Sequence, residues 1–80
     1  MSDDPATIRK HSVLIAGHQT SVSLENAFWE LLTQSAKERK MSINDLVSEI
    51  DDNRSGNLSS AIRMYVLDVL TNRRAPSKDL

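Results

Sequence analysis

The segment that most resembles a ligand-binding motif is the acidic loop DDNRSGNL at residues 51–58. Four of its residues match positions one, three, five and six of an EF-hand calcium loop: Asp51, Asn53, Ser55 and Gly56. Position twelve, which requires a bidentate Glu, is Ile62, and Arg54 brings a positive charge into the loop. We therefore expect a polar turn with Asn57 capping the next helix, and no metal site.

The two histidines, His11 and His18, are the other candidate metal ligands. They lie seven residues apart on either side of an apolar run, and the chain has no cysteine. Because zinc sites need three or four ligands, we expect no metal and no cofactor.

A Gly-rich phosphate loop and a Ser-His-Asp arrangement are also missing from the sequence, so we expect no enzymatic activity.

The composition is that of a small globular domain. The chain has 80 residues, 39% of them hydrophobic and 26% charged, and a formal net charge of -1. This charge does not by itself indicate a nucleic-acid-binding protein. No apolar run approaches the roughly 18 residues that a membrane span needs, and the first residues are acidic and polar rather than signal-like. We expect a cytoplasmic protein with no membrane partner.

Two strand-like stretches are expected at 10–16 and 19–24, with a break near Gly17. They are compatible with a hairpin or with one long kinked strand. Period-two alternation gives the second stretch an inner and an outer face. The residues of the inner face are Thr20, Val22 and Leu24. The residues of the outer face are Gln19, Ser21 and Ser23.

Three helices follow, at about 25–39, 43–52 and 58–72, where apolar residues recur at three- and four-residue spacing. Ser42 followed by Asp45 resembles a capping box and marks the start of the second helix. The third helix is apolar around much of its circumference, which is typical of a buried helix.

These elements predict a single domain at 8–72, preceded by a disordered segment at 1–7 and followed by a flexible tail at 73–80. A lone strand leaves unpaired backbone groups, and one chain has little with which to cover the third helix. We therefore expect a homodimer, or a higher oligomer, with strands paired across a two-fold axis. The expected dimer core consists of Val22, Leu24, Phe28, Leu32, Leu46, Val47, Ile50 and Ile62.

The run TSVSLENAFWELLTQSAKERKMSINDLVSEI resembles the ribbon-helix-helix family, the fold of the Arc and methionine repressors. The flanking stretches RKHSVLIAGHQTSVSLE and SGNLSSAIRMYVL are similar to a bacterial subgroup with an extra N-terminal segment and a third helix. The resemblance implies a mainly α fold with a short β-ribbon. It also implies an intertwined homodimer with antiparallel intermolecular strands and an additional C-terminal helix.

The resemblance further implies binding to double-stranded DNA, with the ribbon inserted in the major groove. The matching base-contact residues are Gln19, Ser21 and Ser23. The matching phosphate contacts are Ser42, Ile43 and Asn44, at the start of the second helix, where free N–H groups attract an anion. Arg9 and Lys10, just upstream of the ribbon, are expected to assist by contacting phosphates.

Two functions follow from this sequence. The first is a DNA-binding protein that regulates transcription. The second is a protein–protein interaction dimer, antitoxin-like or an adaptor, that uses the same fold with little or no DNA binding. The negative net charge favours the second function, whereas the family resemblance favours the first.

Overall fold

The chain folds as a two-stranded antiparallel hairpin followed by three helices, in a computed structural model that describes residues 4–54 and 56–74. The strands are β1 (Ile8–Ile15) and β2 (His18–Glu25). The helices are α1 (Asn26–Glu38), α2 (Ile43–Asn53) and α3 (Leu58–Arg74). The predicted class, mainly α with a short β-ribbon and an additional C-terminal helix, is confirmed.

The ribbon is formed within one chain. The turn Ala16-Gly17 joins the strands, so that Ile15 lies opposite His18 and Ile8 lies opposite Glu25. Both turn residues have a positive φ, 50° at Ala16 and 81° at Gly17, as a two-residue type I′ turn requires. Of the two alternatives that the sequence leaves open, the chain therefore adopts the hairpin. Within the chain β1 pairs with β2, and the pairing of strands across a two-fold axis stays a prediction.

The end of the segment before β1, predicted to be disordered at 1–7, contacts the start of α1. Residues 4–7 form a turn against the start of α1: the Asn26 N–H donates to the Thr7 carbonyl at 2.9 Å, and the Ala27 N–H donates to the Pro5 carbonyl at 3.0 Å. The first N–H groups of a helix have no partner within it, so these carbonyls satisfy them. Residues 1–3 of the expected lead lie outside the described residues.

The helix caps agree with the sequence pattern. Ser42 Oγ accepts the Asp45 N–H at 3.0 Å, and Asn57 Oδ1 accepts the Ser60 N–H at 2.8 Å. These short polar side chains supply the acceptors that each helix start lacks, and thereby set where α2 and α3 begin.

The third helix continues to Arg74, two residues beyond its predicted end, and the rest of the expected tail, 75–80, lies outside the described residues.

The hydrophobic core draws its residues from the hairpin and from all three helices. The buried hydrophobic residues are Val13, Ile15, Val22, Leu24, Leu32, Ala36, Leu46, Val47, Ile50, Ile62 and Val66. Seven of the eight residues expected in a dimer core are among them, and Phe28 packs partly buried against them. The hairpin covers one side of this core, and α3 contributes Ile62 and Val66 to it.

The outer side of α3 carries two exposed apolar side chains. Met64 is 64% exposed and Leu67 is 47% exposed, and the two are one helical turn apart. We call this pair the α3 surface.

Among the described residues, no helix combines the length and the hydropathy needed to cross a membrane.

Candidate nucleic-acid interface

The hairpin has one face on the core and one face toward solvent. Because side chains alternate along each strand, the buried Val13 and Val22 define the inner face. The opposite side, which we call the outward face, consists of Ile8, Lys10, Ser12, Leu14, Gln19, Ser21, Ser23 and Glu25. All of these are exposed except Glu25, which is half-buried. The three outer-face residues predicted in the second strand therefore lie together on this solvent-facing surface.

The register arranges the centre of the outward face in three cross-strand rows. The two-residue turn makes Ile15 and His18 a hydrogen-bonded pair, so the pairs at every second position from it are not hydrogen-bonded to each other. Side chains in such pairs lie closest together. The three rows are Leu14 with Gln19, Ser12 with Ser21, and Lys10 with Ser23.

Both edges of the hairpin are held by helix starts. On the β1 side, the Leu14 N–H donates to Asn44 Oδ1 at 3.1 Å, in the first turn of α2. On the β2 side, Ser59 Oγ donates to the Ser23 carbonyl at 2.9 Å, in the first turn of α3. These bonds fix the ribbon relative to the helices and satisfy part of the backbone that an edge strand otherwise exposes.

The charge of the outward face is positive at its centre. Lys10 stands beside three serines, and the carboxylate of the face, Glu25, lies at its end. Arg63 Nε donates to Glu25 Oε1 at 2.8 Å. This hydrogen bond is the main cause that lowers the pKa of Glu25 below its ordinary value. The ion pair neutralises Glu25, so the charge of Lys10 remains uncompensated on the outward face within the described part of the chain.

Two further ion pairs each involve a carboxylate of α2. Arg39 lies 3.0 Å from Glu49, and this contact, with a weaker one from Tyr65, raises the pKa of Arg39. Arg54 Nε lies 2.6 Å from Asp51 Oδ1. Arg54 thus occupies the carboxylate that would begin a calcium loop. The described residues contain no group of three or more His, Asp or Glu that would hold a metal ion.

The predicted phosphate contacts lie together at the start of α2, next to the β1 edge. Ser42 is exposed, whereas Ile43 and Asn44 are half-buried. Two of these side chains already have structural partners, since Ser42 Oγ accepts from Asp45 and Asn44 Oδ1 accepts from Leu14. A phosphate there would be held by backbone N–H groups in the helical turn that also carries the exposed, acidic Asp45.

The side chains of Arg9 and Lys10, which were predicted to act together, lie on opposite faces of β1. Lys10 is on the outward face, opposite Ser23, whereas Arg9 pairs with the buried Leu24 on the helix side. Both side chains are exposed. Adjacent strand residues always point to opposite faces, so only Lys10 accompanies the predicted base contacts.

The inner face contains an aromatic stack that the sequence reasoning did not anticipate. The rings of His11 and Trp29 are stacked, with centroids 3.8 Å apart and planes 4° from parallel. Burial, and secondarily the positive charge of Arg9, lower the pKa of His11. The signal was present in the alternation, because His11 is two residues from the buried Val13 and therefore belongs to the inner face.

Comparison with known proteins connects this geometry to a family. A model described as "Ribbon-helix-helix domain" matches residues 8–70, which is most of the chain. The chain belongs to the ribbon-helix-helix family. Ribbon-helix-helix domains commonly bind DNA in transcription regulators and typically form dimers. The match covers the hairpin and nearly all of the three helices.

A solved structure of an uncharacterized protein from Bordetella pertussis Tohama I is similar to this ribbon-helix-helix chain. The two share 26% sequence identity with a TM-score of 0.73. The similarity covers 92% of this chain and 66% of that one, so the ribbon-helix-helix chain spans just under two thirds of that protein's length. No curated protein matches the sequence.

Proposed function

We propose that this protein binds double-stranded DNA as a transcriptional regulator and inserts the outward face of its hairpin into the major groove. The observation that supports this most directly is the outward face itself. Five of the six side chains in its three central rows are polar, among them Lys10. Its carboxylate, Glu25, is neutralised by Arg63. A two-stranded ribbon fits the width of the major groove. Since the protein would act on chromosomal DNA, we also propose that it is cytoplasmic.

The spacing of the three rows suits a duplex. Alternate residues of a strand are about 6.8 Å apart, and base pairs stack at about 3.4 Å. Three rows therefore extend over about four base steps. In this arrangement Gln19 pairs with adenine, whereas Ser21 and Ser23 bond to base edges of either kind. The start of α2 then anchors a phosphate, and Arg9 contacts the backbone from the flank.

A salt titration tests DNA binding. We expect the full chain to bind mixed-sequence duplexes at low salt, with an affinity that falls steeply as salt is added because phosphate contacts release counterions. Lys10→Glu is expected to weaken binding strongly, since it reverses the charge of the outward face. Fluorescence anisotropy with labelled duplexes measures both effects.

Lys37→Glu is the matched control, because it makes the same charge change at an exposed site on α1. It should weaken binding much less than Lys10→Glu. Equal losses would indicate attraction by net charge rather than by the hairpin. A folded wild-type chain that binds no duplex at low salt would contradict the proposal.

We also propose a homodimer, in which a partner chain covers apolar surface that one chain leaves exposed. The α3 surface, Met64 and Leu67, supplies such an area. Sedimentation over a micromolar range should show the mass of two chains, and a single-chain mass throughout would contradict the dimer.

A protein–protein interaction module is the second candidate function. It is favoured by a groove of about 600 Å³ between α2 and α3, lined in part by Ile50, Met64 and Tyr65. If this surface bound another protein and the hairpin had no DNA role, Lys10→Glu would have no effect on function. The salt titration therefore separates the two candidates.

A further inference from the structure

We propose that β1 provides a second set of base-reading side chains, in which Lys10 recognises guanine and Leu14 recognises the methyl group of thymine. This inference rests on the proposed DNA binding and specifies which bases the hairpin prefers. It also changes the role expected for Lys10, from neutralising a phosphate to contacting a base edge.

The register carries the argument for Lys10. Lys10 lies directly opposite Ser23, and the two belong to a pair without mutual hydrogen bonds, whose Cα atoms are about 4.5 Å apart. Side chains in such a pair leave the sheet next to each other and in the same direction. A ribbon that brings Ser23 to a base edge therefore brings Lys10 to the same depth of the groove. Lys pairs there with the O6 and N7 acceptors of guanine.

Leu14 is an apolar side chain on an otherwise polar centre. It is 47% exposed, whereas its neighbours Val13 and Ile15 on the inner face are buried. Its backbone N–H is held by Asn44 Oδ1, so its position is fixed by α2. Apolar contact with a thymine methyl group is a recognised form of base reading, and it gives an exposed leucine an apolar partner.

The two contacts give the recognised sequence a direction. The Lys10–Ser23 row lies about 14 Å from the Leu14–Gln19 row, which corresponds to about four base steps. Guanine is therefore expected at one end of the site, and thymine with adenine at the other. Since β1 and β2 carry different side chains, one hairpin recognises a sequence that is not its own reverse complement.

Selection from a pool of random duplexes tests Lys10. The wild-type chain should enrich a guanine at one position. Lys10→Gln should lose that preference, with a loss of affinity for the selected site of about fivefold to a hundredfold. Lys37→Gln removes the same charge from α1 and should keep the preference. Circular dichroism verifies that each variant is folded.

The salt dependence distinguishes a base contact from a phosphate contact. If Lys10 contacts a base, Lys10→Gln should leave the slope of log affinity against log salt nearly unchanged. If Lys10 contacts a phosphate, the slope should decrease by about one while the base preference persists. That second outcome would overturn the assignment of Lys10 while leaving DNA binding intact.

Replacing thymine by deoxyuridine in the selected site tests Leu14, because it removes only the methyl group. Wild type should bind the uridine duplex about threefold to fourfold more weakly. Leu14→Ala should bind both duplexes equally. A variant that still discriminates between them would refute the role of Leu14. If the folded wild-type chain bound no duplex, both this inference and the proposed function would fail together.

Discussion

At the scale of single residues, packing changes the acid–base chemistry of His11. Its ring is stacked on Trp29, and its Nε2 is buried without a hydrogen-bond partner among the described groups. The positive charge of Arg9 adds to the effect of burial. Burial and the charge of Arg9 both destabilise the protonated ring and lower the pKa of His11.

The depressed pKa of His11 predicts a pH-dependent stability. The unfolded chain, with a His pKa near 6.5, binds more protons than the folded chain. The free energy of unfolding is therefore highest, with respect to His11, above pH 6.5. It decreases as the pH falls from there through the folded-state pKa. Urea denaturation at several pH values should therefore show a decline on acidification that is smaller in His11→Phe, which keeps the stack. Identical pH profiles for both chains would contradict this origin.

A second residue-scale prediction concerns the turn. Ala16 has a φ of 50°, a region that is unfavourable for a residue with a Cβ. Asn adopts it more readily, so Ala16→Asn should raise the free energy of unfolding by about 0.5–1 kcal/mol. Gly17→Ala should have the opposite effect, because the φ of 81° strains any L side chain even though no atom lies within 4 Å of the added Cβ. Urea denaturation measures both changes, and a destabilised Ala16→Asn chain would contradict the account.

At the scale of elements, the hairpin depends on the helix starts beside it. Asn44 connects α2 to β1, and Ser59 connects α3 to β2. Ser42 and Asn57 determine where these helices begin, and thereby which residues reach the strand edges. Local capping signals in the sequence thus contribute indirectly to the position of the ribbon.

Removing the Asn44 contact should loosen the β1 edge. In Asn44→Ala the Leu14 amide loses its acceptor, so its hydrogen exchange should accelerate and the stability should fall by about 1 kcal/mol. Asn44→Asp retains an oxygen at the same place and should preserve the slow exchange. Exchange monitored by NMR reports on this single amide. An unchanged Leu14 rate in Asn44→Ala would mean that the contact does not protect the edge.

At the scale of the whole molecule, one chain provides both its core and its ribbon. Leu24 of the hairpin, Leu32 of α1, Leu46 of α2 and Ile62 of α3 are each 0% exposed. The hairpin and all three helices therefore contribute a fully buried side chain to the same core. These four side chains are enclosed within a single chain.

This closure predicts a folded monomer when the proposed dimer is disrupted. Leu67→Glu places a charge on the α3 surface and should convert the protein to single chains. Because Leu67 is 47% exposed and outside the core, the variant should still unfold cooperatively with nearly native stability. Sedimentation with thermal denaturation gives both quantities. A monomer that is also unfolded would indicate an obligate, intertwined dimer instead.

Much of the local structure was predictable from the sequence. The helices at α1, α2 and α3 follow from three- and four-residue apolar spacing, and the caps at Ser42 and Asn57 follow from their side-chain chemistry. The alternation in β2 correctly placed Val22 and Leu24 inside and Gln19, Ser21 and Ser23 outside. Whether these three outer residues contact bases stays a prediction.

The tertiary structure alone decided how these elements combine. It pairs β1 with β2 inside one chain and joins Glu25 to Arg63 and Arg39 to Glu49 across distant segments. It also places Lys10 beside Ser23 on the outward face. The local charge of this face, rather than the net charge of -1, therefore bears on DNA binding. Periodicity and capping depend on neighbours within a few residues, which a sequence displays directly. Strand partners and ion pairs depend on which distant surfaces meet when the shared core closes.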